Sequence, residues 1–109
     1  MANTFKNASL GDVSNSSYDT LYTATSVTTV ILGLAITNKT SQAVTVQVQF
    51  SDSSASVTRQ LLENVSIPGN TTLETLAGQK YILESGDSLG VQAGTASAID
   101  VVLGAMEIS

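Results

Sequence analysis

Residues 43–50 read AVTVQVQF, and this stretch decides the fold. Val44, Val46, Val48 and Phe50 alternate with Thr45, Gln47 and Gln49. Strict period-two alternation gives a strand with one face in a core and the other in water. No helical face has that period. The prediction is that Val44, Val46, Val48 and Phe50 are buried while Gln47 and Gln49 are exposed.

The flanking chain extends the same pattern. In VTTVILGLAITN, residues 27–38, Val30, Leu32, Leu34 and Ile36 share one face, and Ile31, Gly33 and Ala35 line the other. Both faces are apolar, so this strand is expected to be central, with Gly33 admitting a close neighbour. AIDVVLGAMEI, residues 98–108, is two-sided in the same way and reads as a second central strand. Shorter strands are expected at 57–65, with a bulge at Leu61-Leu62, and at 72–77, 80–84 and 88–93. Turn formers separate them: Asn38-Lys39-Thr40-Ser41, Asp52-Ser53-Ser54, Pro68-Gly69-Asn70, Ala77-Gly78-Gln79 and Ser85-Gly86-Asp87. In Pro68-Gly69-Asn70 the glycine is expected to supply the positive φ. No sustained i, i+3, i+4, i+7 spacing competes. The fold class that follows is all-β: a single antiparallel β-sandwich, jelly-roll-like, of about eight strands.

Composition bounds the chemistry. A chain of 109 residues makes one domain and folds without staples, burying roughly 65% of its extended surface. It has no cysteine and no histidine, which removes disulfides, thiolate sites, imidazole bases and the commonest transition-metal ligand. Four cations against nine carboxylates, net −5, argue against nucleic-acid and anionic-membrane partners. Ser and Thr supply 15 and 14 residues, but 42% of the chain is hydrophobic, so it is not a disordered composition. MANTFKNASLGDV lacks a signal-peptide pattern and no apolar run approaches a membrane span, so synthesis in a cytoplasm is expected. Five Asn-x-Ser/Thr sequons, at Asn7, Asn15, Asn38, Asn64 and Asn70, follow from the Ser/Thr content.

Two regions invite a site. Glu84 and Asp87 flank Ser85-Gly86, and paired carboxylates can serve glycoside hydrolysis or hold a cation. With no Trp and few other aromatics to stack on a sugar, and no D-x-D-x-D-G spacing, they read instead as a hairpin corner. Their replacement by amides should then cost little stability, and chelators should leave melting unchanged. No catalytic residue, cofactor or metal is assigned. Residues 1–17 differ from the rest, with few apolar residues in a turn-forming background. They read as an N-terminal arm or edge strand, followed by a sandwich over 18–109. Phe5, Lys6 and Leu10 are the candidate partner-binding residues, with Phe5 as apolar anchor.

A resemblance spans nearly the whole chain. TLYTATSVTTVILGLAITNKTSQAVTVQVQFSD, then IPGNTTLETLAGQKYILESGDSLGVQA, then a strand closing in MEIS, resembles small virion proteins of tailed bacteriophages of the marine and cyanobacterial type. Tyr22, Thr23, Asn38, Leu83, Gly86, Asp87 and Leu89 stand at the matching turn and strand positions. After Tyr22-Thr23, Ala24-Thr25-Ser26 replaces the Pro-Ala-Gly turn common in that group. The resemblance implies a non-enzymatic structural protein of the virion, a decoration or cement protein on the outer capsid. Its implied partners are the major capsid protein or another virion protein, and further copies of itself in a homo-oligomer. The alternatives are a tail, collar or fibre component, and, from another class, a carbohydrate-binding adhesion module, which the shortage of aromatic platforms disfavours.

Overall fold

The alternating segments pair in one nested scheme. The computed structural model describes residues 3–76 and 80–108. Nine strands occur among them: β1 (Asn3–Leu10), β2 (Asp19–Thr23), β3 (Thr28–Asn38), β4 (Val44–Asp52), β5 (Val57–Ile67), β6 (Thr72–Glu74), β7 (Tyr81–Leu83), β8 (Ser88–Ala93) and β9 (Ile99–Ile108). β1 pairs with β9, β2 with β8, β3 with β6 and β7, and β4 with β5, all antiparallel. This is one long hairpin with its tip at β4–β5. It rolls up because β3 also pairs with β9, and β4 with β8. Two sheets result: β1-β9-β3-β6, with β7 also on β3, and β2-β8-β4-β5. β6 lies opposite Ala35–Thr37 and β7 opposite Thr29–Ile31, so they divide one strand position and nine strands fill eight places. The protein is an antiparallel β-sandwich in jelly-roll order.

The core lies between the sheets. Val44, Val46 and Val48 are buried on β4, and Phe50, expected to be buried, is half-buried where it lines a cleft with Leu61, Tyr81 and Ile82. Gln47 and Gln49 take the outer side of β4, where both are half-buried rather than exposed. Tyr18 covers part of that face, its hydroxyl donating to Gln47 Oε1 at 3.0 Å. β5 carries the expected bulge at Leu61, which the register with β4 skips.

β3 departs from the expected faces. The register with β9 slips between Ile31 and Gly33, leaving Leu32 as an extra residue. One inserted residue inverts the parity of everything beyond it. Thr29 and Ile31 therefore point inward, but so do Leu34, Ile36 and Asn38. Gly33 meets no neighbour: a Cβ built there would find nothing within 4 Å. It faces outward into open space. The close approach occurs at Gly69, whose Cβ would come 2.5 Å from the Ser41 carbonyl, and the positive φ in that turn belongs to Asn70, at 57°. The corner expected at Ala77-Gly78-Gln79 lies outside the described residues.

The division into an arm at 1–17 and a sandwich from 18 needs correction. β1 is an edge strand of the sandwich, in register with β9 from Asn3↔Ile108 to Leu10↔Val101. Val13 behind it is fully buried, its N–H bonded to the Ile99 carbonyl. Backbone pairing stabilises the segment where its side chains could not.

Candidate functional site

The connection holding Glu84 and Asp87 is a corner, but not of a hairpin. β7 belongs to the β3 sheet and β8 to the other, so residues 84–87 cross between the layers. The turn from β2 to β3 crosses beside it: Ala24 N–H donates to the Asp87 carbonyl at 2.9 Å, and Gly86 N–H to the Ala24 carbonyl at 2.7 Å. Gly86 has φ +96°, a conformation that glycine adopts without strain. Asp87, 1% exposed, organises three turns. One carboxylate oxygen accepts Glu84 N–H and the other accepts Ser53 N–H, both at 2.9 Å.

Asp52, Glu84 and Asp87 bring carboxylate oxygens within 4.8 Å of one another, the one spacing among the described residues that a cation could use. Asp87 faces backbone N–H groups with both its oxygens, and Asp52 Oδ1 accepts from Ser54 and Ala55. Calcium requires six to eight oxygen ligands. The arrangement is that of turn capping. The burial also corrects the expectation that both carboxylates can be replaced cheaply. Asp87→Asn puts an amide donor against an N–H donor, and should cost about 1–3 kcal/mol. Glu84→Gln, at an exposed position, should change stability by less than about 0.5 kcal/mol. Thermal melts of the two variants, with EDTA and with millimolar calcium, measure this. A calcium-dependent rise in the wild-type melting temperature would restore the cation site.

The residues carrying the phage resemblance are framework. Leu83 and Leu89 are buried, and Asn38 ties the opposite end of the sandwich. Tyr22 donates its hydroxyl proton to Glu107 Oε2 at 2.6 Å and stands 2.8 Å from Thr29 Oγ1. Burial first, then the Glu107 bond, raise the Tyr22 pKa above its ordinary 10.0, and the Thr29 bond opposes them. Folding thus holds the phenol proton. The resulting stability is complete below pH 10 and is lost as pH rises through the folded pKa. Tyr22→Phe should flatten the fall in melting temperature seen in the wild type above pH 10.

Phe5, Lys6 and Leu10 are not brought together. Phe5, opposite Met106, points outward and is 74% exposed. Lys6 has the opposite parity and is also exposed. Leu10, opposite the buried Val101, packs against the core, so it is withdrawn from a partner. What the sequence reading missed is the company Phe5 keeps. Phe5, Met106, Val30 and Ile82 face one another in register across four strands, on the outer side of the sheet. Ile82 is 52% exposed, and Val102, farther along β9, is 55% exposed. At the Ile82 end, an apolar cleft of about 120 Å³ opens between Phe50, Leu61, Tyr81 and Ile82. A signal was present: a sandwich has two layers, so a central strand apolar on both faces leaves apolar side chains on the outer one. The other outer face is polar, with Gln47, Gln49 and Gln92. The tyrosines are dispersed: Tyr18 on the glutamine face, Tyr22 at Glu107 and Tyr81 in the cleft.

The sequence matches no described protein family and no curated protein. Among solved structures, the chain is similar to the Eiger TNF from S. frugiperda, at 11% identity and a TM-score of 0.45, covering 96% of this chain and 93% of that one. It is also similar to a chain in the structure of infectious bursal disease virus Gx strain, at 10% identity and a TM-score of 0.39, covering 95% of this chain and 41% of that one. Among the described residues, no helix is long and apolar enough to cross a membrane.

Proposed function

We propose that the protein is a structural component of a phage particle, a decoration protein on the outside of the capsid. The observation that carries the reading is the contrast between its outer faces, one lined with glutamines and the other with an apolar row. A rigid tile with one wet side and one apolar side is built for assembly, because isolated soluble proteins seldom keep large apolar patches in water. The sequence resemblance supplies the setting, and repetition of weak contacts on a symmetric shell supplies net attachment. The buried, bonded state of Asp87 and the lack of histidine and cysteine favour a non-enzymatic role. Purified protein added to particles lacking it should co-sediment with them at hundreds of copies each, counted by quantitative mass spectrometry. A dozen copies or fewer would assign it to the tail or collar. No binding to any particle would overturn the proposal.

A further inference from the structure

The apolar row is self-complementary. From the row Phe5–Met106–Val30–Ile82 we infer that a second copy of this chain covers the outer face of the β1-β9-β3-β7 sheet, as a two-fold dimer packed sheet to sheet. The inference rests on the assembly reading of this face, not on the phage setting.

Phe5 is a projecting ring at one end of the row, and Ile82 stands at the other, at the rim of a cleft completed by Tyr81 and by Phe50 and Leu61 of the opposite sheet. A two-fold axis along the strands, between β9 and β3, reverses the order of the row in the second copy. Phe5 then meets Ile82 and the cleft, Met106 meets Val30, and each contact occurs twice, as an isologous interface requires. The cleft, about 120 Å³ and open on one side, is of the scale that takes a phenyl ring; a closed cavity of roughly 150 Å³ holds benzene. Beside the row, Gly104 and Gly33 face each other in register with open space above both. Their bare backbone leaves room for the partner's side chains.

Area and charge agree. Four strands about 4.8 Å apart and seven residues rising about 3.4 Å each, the span from Val102 to Ile108, give a footprint near 450 Å² before side-chain relief. Projecting side chains such as Phe5 enlarge it, and it stays below the roughly 800 Å² that each partner contributes to a standard interface, the size of a weak dimer. Copies with a net charge of −5 repel one another, so they approach at least cost through an uncharged face. From Ile108 to Val102 along β9, and at the positions opposite on β1 and β3, no charged side chain faces outward among the described residues; the exposed Glu74 on β6, in line with Ala35 and Val102, marks the border. Asp100, farther along, is held by Lys39 at 3.1 Å.

Sedimentation equilibrium of the purified chain tests this apart from any particle. Wild type should dimerise, and Phe5→Asp or Ile82→Asp should weaken the dimer about 100-fold while the monomer keeps its circular dichroism. Because the chain has no cysteine, geometry can be probed directly. Phe5→Cys mixed with Ile82→Cys should yield a covalent dimer with a short bis-maleimide, and Phe5→Cys alone should not. A wild type that stays monomeric at several hundred micromolar would overturn the inference, as would a dimer indifferent to both aspartates. Efficient cross-linking of Phe5→Cys to itself would overturn the proposed axis. A monomer that needs Phe5 to join the particle would make the shell the occupant, ending the inference but sparing the function.

Discussion

Val48→Asp should leave the chain largely unfolded at 25 °C, without the cooperative thermal melt of the wild type. Val48 is fully buried on β4, flanked in register by Val91 on β8 and Leu62 on β5. The one cation on those strands, Arg59, stands opposite Phe50, one inward position along, and is exposed to solvent. An unpaired carboxylate in such a site must either stay charged in a low-dielectric core or take up a proton, and both oppose folding. The expected loss is about 4–5 kcal/mol, comparable with the whole stability of a small domain. Gln49→Asp, one residue along and on the outer face, is the control and should shift stability by less than about 1 kcal/mol. Far-ultraviolet circular dichroism during heating measures both. A native melt for Val48→Asp would mean that β4 is out of register by one residue.

Asn38 should be the most sensitive polar residue. It is fully buried at the end of β3, and its amide serves two neighbouring turns. Nδ2 donates to the carbonyls of Gln42 at 2.7 Å and Ile67 at 2.9 Å, while Oδ1 accepts the backbone N–H and the hydroxyl of Thr40. The turn at 38–42 and the turn at 68–71 are thereby held together, with Gly69 against the Ser41 backbone. Asn38→Leu keeps the volume and strands these groups. With each buried unpaired group costing about 1–3 kcal/mol, the total should be near 3–5 kcal/mol. Asn38→Asp should be at least as damaging at neutral pH, since it sets a carboxylate oxygen against two carbonyls. Protonation restores a donor, so that variant alone should gain stability relative to wild type as pH falls. Denaturant midpoints at pH 7 and pH 4 measure both effects. Equal losses for Asn38→Asp at the two pH values would contradict the bonding pattern.

The same burial bears on the sequon at Asn38, whose amide is committed on both atoms and out of reach of a modifying enzyme. Asn38 and Asp87 sit at opposite ends of the sandwich and do the same job. Each satisfies backbone groups of turns that no ladder could pair. In the sequence both read as ordinary turn formers, because local preference for Asn and Asp does not distinguish a solvated corner from a buried one.

Alternation at 43–50 was enough to establish β structure and the inward row of Val44, Val46 and Val48 on β4, because period two is a property of the backbone itself; with the spacing of the turns it implied an antiparallel sandwich. The two-sided apolar stretches were enough to make β3 and β9 central. Three things waited on the tertiary structure. The extra residue at Leu32 reverses the faces of β3 beyond it, and hydrophobicity was blind to the slip since both parities there are apolar. Residues 84–87 were legible as a turn but not as a crossing between sheets, because a turn's local chemistry is the same whether the next strand joins its own sheet or the opposite one. Phe5 was singled out, yet its row with Met106, Val30 and Ile82 joins residues about a hundred positions apart. Pairing between strands, which no local window contains, is what gathers them on one exposed face.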